Sequence, residues 1–338
     1  MTTIHFKGGA SGAVDLSAVA PAGKDAVLPF AVETLDTRGR ALHMGPALNE
    51  ILSSHAYPAP VSRLLGEMLV LTALLGTSLK FDGRFILQAQ TDGPVNLLVV
   101  DFQTPSNLRA YARFDDAAVE KAEREGRTRP EDLLGKGVLA MTVDQGQHMQ
   151  RYQGMVPLEG ASLEEVAHAY FVQSEQIPTR VRLGVSELVS PGDDGAPLST
   201  WQAGGVLVQF LPESEERVKI RDLPGGDGDD RAFDHEEDNA WTEAQALLST
   251  VSDEELTDPD IPVETLLFRL FHEQGLRLFS PQKIAAHCSC SGETIWAVLK
   301  GMSDDELHDI AKDGKIEVKC EFCAKDYSVT AEEIIANR

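Results

Sequence analysis

His287-Cys288-Ser289-Cys290 and Lys319-Cys320-Glu321-Phe322-Cys323 hold all four cysteines of the chain, and the 287 residues before them hold none. A secreted disulfide protein spreads its bridges over the whole fold, whereas paired cysteines confined to one end of a cytosolic-type sequence read as metal ligands. The 29 residues between the pairs carry two helix candidates, Glu293 to Met302 and Asp304 to Lys312. Ile316 to Lys319 and Ala324 to Val329 read as strands flanking the second pair, with Asp313-Gly314 as the turn before them. A Cys-x-x-Cys on a tight strand-to-strand turn can point both sulfurs at one metal, and a second pair from a distance completes a tetrahedron.

Cys288, Cys290, Cys320 and Cys323 are therefore expected to bind one Zn²⁺ per chain as four thiolates. The spacings match none of the common iron–sulfur runs. A thioredoxin-like redox pair at Cys320 and Cys323 stays open, though it lacks a βαβ setting and leaves the first pair without a role. His287 and His308 are substitute ligands that four thiols make unnecessary. A unit near 50 residues buries too little surface to be comfortable alone. Structural zinc contributes an apparent ~10 to 16 kcal/mol, against ~5 to 15 kcal/mol of stability for whole domains. Loss of the metal should unfold this unit, and oxidation of the thiolates to disulfides would remove the ligands.

Working toward the N-terminus, Asn239 to Phe279 carries two short amphipathic patterns, Trp241 to Val251 and Val263 to Phe271. They are interrupted at Asp258-Pro259 and Gly275. Helices shorter than ~12 to 15 residues are marginal in water, so this segment must dock to stay folded. Ordinary packed helices and a conditionally folded segment both fit. In the second case the adjoining zinc unit is the expected docking surface, lost on oxidation. Residues 213–238 are acidic and read as a solvated, flexible segment.

The rest alternates between periods. Phe30 to Leu42 reads as strand and turn, and Val61 to Leu79 as an apolar helix. Arg84 to Thr91, Val95 to Phe102, Leu108 to Phe114, Val138 to Val143, Thr179 to Val185 and Val206 to Leu211 read as strands. Ser162 to Gln176 reads as a helix, with Ser162 as N-cap and Glu165 closing a capping box. Hairpin-like strands interleaved with helices predict an α+β fold. The expected organisation is a mixed sheet-and-helix core over 1–235, ending in the acidic segment from 213. A metastable helical linker over 236–280 and a four-cysteine zinc domain over 281–338 follow it.

The chain has 30 Lys+Arg against 54 Asp+Glu, a formal net charge of −24. Such a surface repels phosphate, which argues against nucleic acid as a main partner. No apolar run is read as a membrane span and Met1 to Val14 does not read as a secretory signal, so a cytoplasmic protein is expected. No phosphate-binding Gly-x-x-x-x-Gly-Lys-Ser/Thr loop, Gly-x-Ser-x-Gly elbow or His-Glu-x-x-His helix occurs. No enzyme and no nucleotide-driven machine is expected.

With the cysteine pattern, several stretches closely resemble a known family. They include Leu79-Lys80-Phe81-Asp82-Gly83-Arg84, Thr91-Asp92-Gly93-Pro94, Tyr152-Gln153-Gly154, Tyr170 to Gln176 and Gly204-Gly205 to Leu211-Pro212. The family is the redox-regulated chaperonin of 33 kilodaltons, a bacterial heat-shock protein, and the resemblance runs from about residue 27 to about 330. It implies a holdase that is inactive when reduced and zinc-bound. Oxidation would link Cys288 with Cys290 and Cys320 with Cys323, release zinc, unfold the linker and produce a homodimer that binds unfolding proteins. Client contacts are expected on Trp241, Leu247, Leu248, Leu266, Leu267, Phe268 and Phe271, with part of the core sheet. The readings kept beside it are a zinc-stabilised interaction module without a switch, and a thiol–disulfide oxidoreductase.

Overall fold

The structure, a computed structural model, describes residues 4–5, 21–79, 81–145, 152–191, 195–211, 239–312 and 314–337. The acidic segment 213–238 and Asp313 of the expected turn lie outside the described residues. With strands numbered in chain order, the first sheet contains β1 (Ile4–His5), β2 (Ala26–Val32), β3 (Thr37–Met44), β9 (Thr179–Pro191), β10 (Pro197–Phe210), β11 (Leu276–Leu278) and β12 (Gln282–Lys283). Its order is β1-β11-β2-β3-β10-β9, with β12 also on β2, and every pair is antiparallel. The second sheet contains β4 (Arg84–Thr91), β5 (Val95–Gln103), β6 (Asn107–Phe114), β7 (Lys136–Asp144), β8 (Tyr152–Glu159) and β13 (Ala285–Ala286). Its order is β13-β6-β5-β4-β7-β8, and β13 on β6 is its parallel pair. A third, two-stranded sheet, the hairpin of β14 (Lys315–Lys319) with β15 (Asp326–Thr330), stands apart near the C-terminus.

The helix Ala59–Ser78 runs between the two large sheets and is buried along almost its whole length. Apart from Arg63 and Glu67 near its start the helix is apolar, and such a helix has to be covered on nearly all sides; one sheet on either flank does so. Close approach is permitted by glycines. A Cβ on Gly76 would stand 2.5 Å from the Phe102 ring, and one on Gly205 would stand 2.6 Å from Val70. By length and composition this helix would also qualify as a membrane span, which corrects the reading that no run did. With 83% of its most apolar window buried in the protein, it is a core helix here.

Successive side chains of a strand face opposite sides, and the first sheet uses both. Val27, Leu42, Met44 and Leu207 face the core helix. Leu28, Phe30, Ala41, Val206 and Val208 face the other way and pack under the segment after residue 238. That segment forms helices Asn239–Ser249, Asp253–Thr257 and Val263–Phe271, followed by β11. Its contacts correct one expectation: the linker docks on the first sheet, and its apolar cluster includes no residue beyond Leu278. The reason is surface supply. The cysteine-bearing C-terminal unit has a small apolar cluster of its own, Leu299, Leu307, Ile316, Val329, Ala331 and Ile334, whereas the sheet offers a broad apolar face that water would otherwise cover.

Most elements fall where the sequence places them. Ser162 caps its helix and forms the capping box with Glu165. The α-helix there spans Leu163–Tyr170 and passes into a π-turn at Phe171–Glu175, so it ends earlier than the pattern indicated. Helices Pro46–Ser53 and Asp116–Arg124, strands β8, β11, β12 and β13, and the C-terminal helix Ala331–Ala336 were not read from the sequence.

Candidate metal centre

The second cysteine pair sits at the tip of the β14–β15 hairpin. The Cys320 amide donates to the Lys325 carbonyl at 2.9 Å and the Ala324 amide to the Cys320 carbonyl at 2.9 Å. Ala324 takes a left-handed conformation, φ 55°, to close this turn. The first pair follows β13 directly, held by the His287 amide donating to the Leu108 carbonyl at 2.8 Å. It then runs into helix Gly292–Leu299, which Ser291 caps through the Thr294 amide. Ser303 and Thr330 form capping boxes for the next two helices. Helices of six to eight residues need such caps and a shared core to persist.

These two turns bring all four sulfurs within 4.8 Å of one another. Cys288 Sγ lies 3.7 Å from Cys320 Sγ, and Cys290 Sγ lies 3.3 Å from Cys323 Sγ. A tetrahedral zinc with Zn–S bonds of ~2.3 Å spaces its sulfurs by about 3.8 Å, so the donor set and its dimensions fit that ion. All four thiols are free. His287 and His308 are exposed, and neither joins the group.

The thiols are electrostatically unequal. Burial raises Cys288, and burial together with the neighbouring thiols pushes Cys323 up to about 12. Burial would raise Cys290 too, but hydrogen bonds from Tyr327 and the other thiols outweigh it and bring it down to about 7. The Tyr327 hydroxyl donates to Cys290 Sγ at 3.2 Å, which pushes its own ionisation up to about 12. Four like charges cannot share so small a volume without a cation, and a dication would hold every coordinating sulfur as thiolate.

The site is docked on the second sheet through contacts that sequence reasoning missed. The guanidinium carbon of Arg109 lies 4.0 Å from the centre of the Phe322 ring, inside the Cys-x-x-Cys. Tyr111, two residues along β6, lies 6.5 Å from the same ring. Arg109 Nη1 reaches Ser289 Oγ, inside the Cys-x-Cys, at 3.4 Å. An apolar aromatic, Phe322, between Cys320 and Cys323 was the one signal of this contact in the sequence.

The residues proposed for client contact lie elsewhere. Trp241, Leu248, Leu266, Leu267 and Phe271 are buried against the first sheet, and Leu247 and Phe268 are partly buried at its margin. Phe271 stacks on Phe30 at 5.7 Å, and Trp241 meets Phe210 at 5.8 Å. Polar contacts fasten the same segment. Arg182 donates to the Val251 carbonyl at 3.2 Å and to Asp253 at 3.0 Å, while Arg180 donates to Gln245 at 2.6 Å. In this conformation the buried five are unavailable to any partner.

Comparison with known proteins agrees with this architecture. The family model described as Hsp33 protein matches residues 25–330. A 33 kDa chaperonin of Caulobacter vibrioides is 44% identical over 308 residues, covering 90% of this chain and 94% of the relative. One from Photorhabdus laumondii is 34% identical over 318 residues, covering 93% and 96%. The crystal structure of a Thermotoga maritima 33 kDa chaperonin (HSP33) superposes with a TM-score of 0.68 at 21% identity, over 92% of this chain and 97% of that one. At that identity it bears on the fold alone. With the family model spanning most of its length and relatives aligned nearly end to end, the chain belongs to the Hsp33 family of 33 kDa chaperonins.

Proposed function

We propose that the protein is a redox-regulated, ATP-independent holdase, inactive while reduced and zinc-bound. The observation that carries the reading is the pairing of two features in one chain. Four thiols from distant segments converge within 4.8 Å, and a neighbouring segment keeps large apolar side chains buried on a sheet face. Bound zinc would hold the sulfurs as thiolates and tie the two loops together, with Cys288, Cys290, Cys320 and Cys323 as ligands.

Oxidation then acts on the thiolates. Two thiolates and one hydrogen peroxide give one disulfide and two hydroxide ions, so two peroxides convert the set to Cys288–Cys290 and Cys320–Cys323. The ligands are consumed, the small C-terminal unit loses its largest stabilising contribution, and the linker separates from the first sheet. Trp241, Leu247, Leu248, Leu266, Leu267, Phe268 and Phe271 then become contact surface for unfolding proteins in the cytoplasm, and the exposed surface supports a homodimer. Apolar contact of this kind contributes roughly 25 cal/mol per Å² before ordering costs. No catalytic turnover is part of this scheme.

The test measures zinc content beside suppression of citrate synthase aggregation, before and after hydrogen peroxide at elevated temperature. One Zn²⁺ per chain, released as suppression appears, supports the switch. Zinc retained with no gain in suppression makes the metal purely structural and the protein an interaction module.

A further inference from the structure

We infer that Arg109 is the relay between the cysteine loops and the core, a positioning residue that holds the C-terminal unit docked only while both loops keep their metal-bound arrangement. The inference rests on the redox reading above and names the contact through which the core responds to it.

Arg109 is fixed before it meets the loops. Asp101 lies opposite it on β5 and is 4% exposed. It takes two bonds from the guanidinium, from Nε at 2.8 Å and Nη2 at 2.6 Å. A planar fork held at two points has its remaining donor and its flat face aimed in advance. Nη1 meets Ser289, the flat face meets Phe322, and the same guanidinium charge also interacts with the Cys288 side chain. Ser289 and Phe322 are spacers of the two cysteine pairs, so one side chain touches the interior of both loops.

Disulfide closure must disturb both contacts. Each pair has to move from metal spacing, about 3.8 Å, to a bond of about 2.05 Å. Closing a ring through Ser289, or through Glu321 and Phe322, reorients the spacer inside it. Besides these contacts, backbone docking at this edge consists of β13, which pairs only Ala285 and Ala286 with β6. So short a strand is marginal by itself. Only nine residues separate Leu278 from Cys288, and they include β12 and β13. Release at Arg109 therefore shifts the load to the anchors that remain on the way back to β11 and the linker, the β12–β2 pairing and buried Ile284, whose amide donates to the Asp25 carbonyl at 2.9 Å.

The test uses the full-length, reduced, zinc-loaded protein without oxidant, and reads zinc per chain with a chromogenic chelator and hydrogen exchange over 276–287. Arg109→Ala and Phe322→Ala are expected to keep one zinc per chain yet exchange this segment about tenfold faster than wild type, toward the oxidised wild-type rate. Arg109→Lys, which keeps the charge beside Asp101 but loses the fork, should fall between. Arg113→Ala, which removes an arginine of the same β6 face bonded to Asn96 at 2.8 Å, should match wild type. If Arg109→Ala fails to fold because buried Asp101 keeps only the longer Arg84 pair at 3.9 Å, Phe322→Ala decides alone, since it leaves the Arg109–Asp101 pair intact. Wild-type exchange in both variants, with rapid exchange in the oxidised wild type, overturns the relay and leaves the redox reading standing. Protection of 276–287 in the oxidised wild type overturns both.

Discussion

Gly204 lies directly beneath the carbonyl oxygen of Leu256: a Cβ built on Gly204 would stand 2.0 Å from that oxygen. Across the β10–β9 pair its partner is Gly184, whose Cβ would meet the Leu256 side chain at 3.0 Å. The two glycines form a notch in the first sheet that receives helix Asp253–Thr257. Any side chain at Gly204 must lift the linker. Gly204→Ala should therefore weaken linker docking by about 1 to 3 kcal/mol, the usual cost of overpacking, without touching the cysteines. The expected outcome is normal zinc content with aggregation suppression at a lower temperature or oxidant dose. Unchanged activation would mean that the linker can shift on the sheet without loss.

Phe271 tests the same interface from the other side. It is fully buried and stacked on Phe30. Phe271→Ala should cost about 3 to 5 kcal/mol, enough to detach a segment made of helices no longer than 11 residues. Limited proteolysis of the reduced protein should cut within 239–271 in the variant and spare that segment in wild type. If the holdase reading holds, the variant also suppresses aggregation without oxidant.

His43 makes linker docking sensitive to acid. Burial pushes its imidazole down to about 4, with Lys24 adding to the effect and Asp258 opposing it. Its Nε2 is buried without a hydrogen-bond partner. Because the folded value lies below the unfolded one of about 6.5, the unfolded state binds the proton more readily. Stability is fully present above pH 6.5 and falls as pH drops toward 4, by at most about 1.4 kcal/mol per unit. Thermal unfolding of the linker at pH 7.5 and 5.5 should differ in wild type, and the difference should shrink in His43→Gln. An equal difference in both would assign the acid sensitivity to other groups.

Removing a ligand should separate the two clusters. Cys290→Ser deletes the sulfur that accepts from Tyr327 and leaves three thiols. Zinc affinity should fall by orders of magnitude, and helices Gly292–Leu299 and Asp304–Ile310 should lose their circular dichroism signal, because only six buried residues hold them together. The core helix Ala59–Ser78 should stay protected from exchange. A variant that keeps its zinc and its helices would exclude the four-thiolate site. An oxidoreductase built on Cys320 and Cys323 would instead keep its fold in Cys320→Ser and lose turnover.

Much of the fold was legible because it is written in short-range pattern. The period of two in Arg84 to Thr91 and the 3.6-residue period in Val263 to Phe271 place both elements with the boundaries observed. The Ser162 capping box is a four-residue signal and is present. Strands β11, β12 and β13 escaped because each has two or three residues, too few to show a period. They exist only because a neighbouring edge accepts them. The convergence of the four cysteines follows from their spacing, but the bond from Tyr327 to Cys290 does not, since it depends on how the β14–β15 hairpin folds over the first pair.

By itself, the sequence determined the four thiols of the candidate metal site, the α+β character of the chain and the positions of its longer helices and strands. Each of these is fixed by residues close together along the chain or by the chemistry of four thiols. Tertiary structure alone decided where the linker docks and how the cysteine loops meet the core. Leu256 finds Gly204 across 52 positions, and Arg109 finds Phe322 across 213. Contacts at such separations are set by sheet order and by which apolar face is left uncovered, and neither is encoded in any local run of residues.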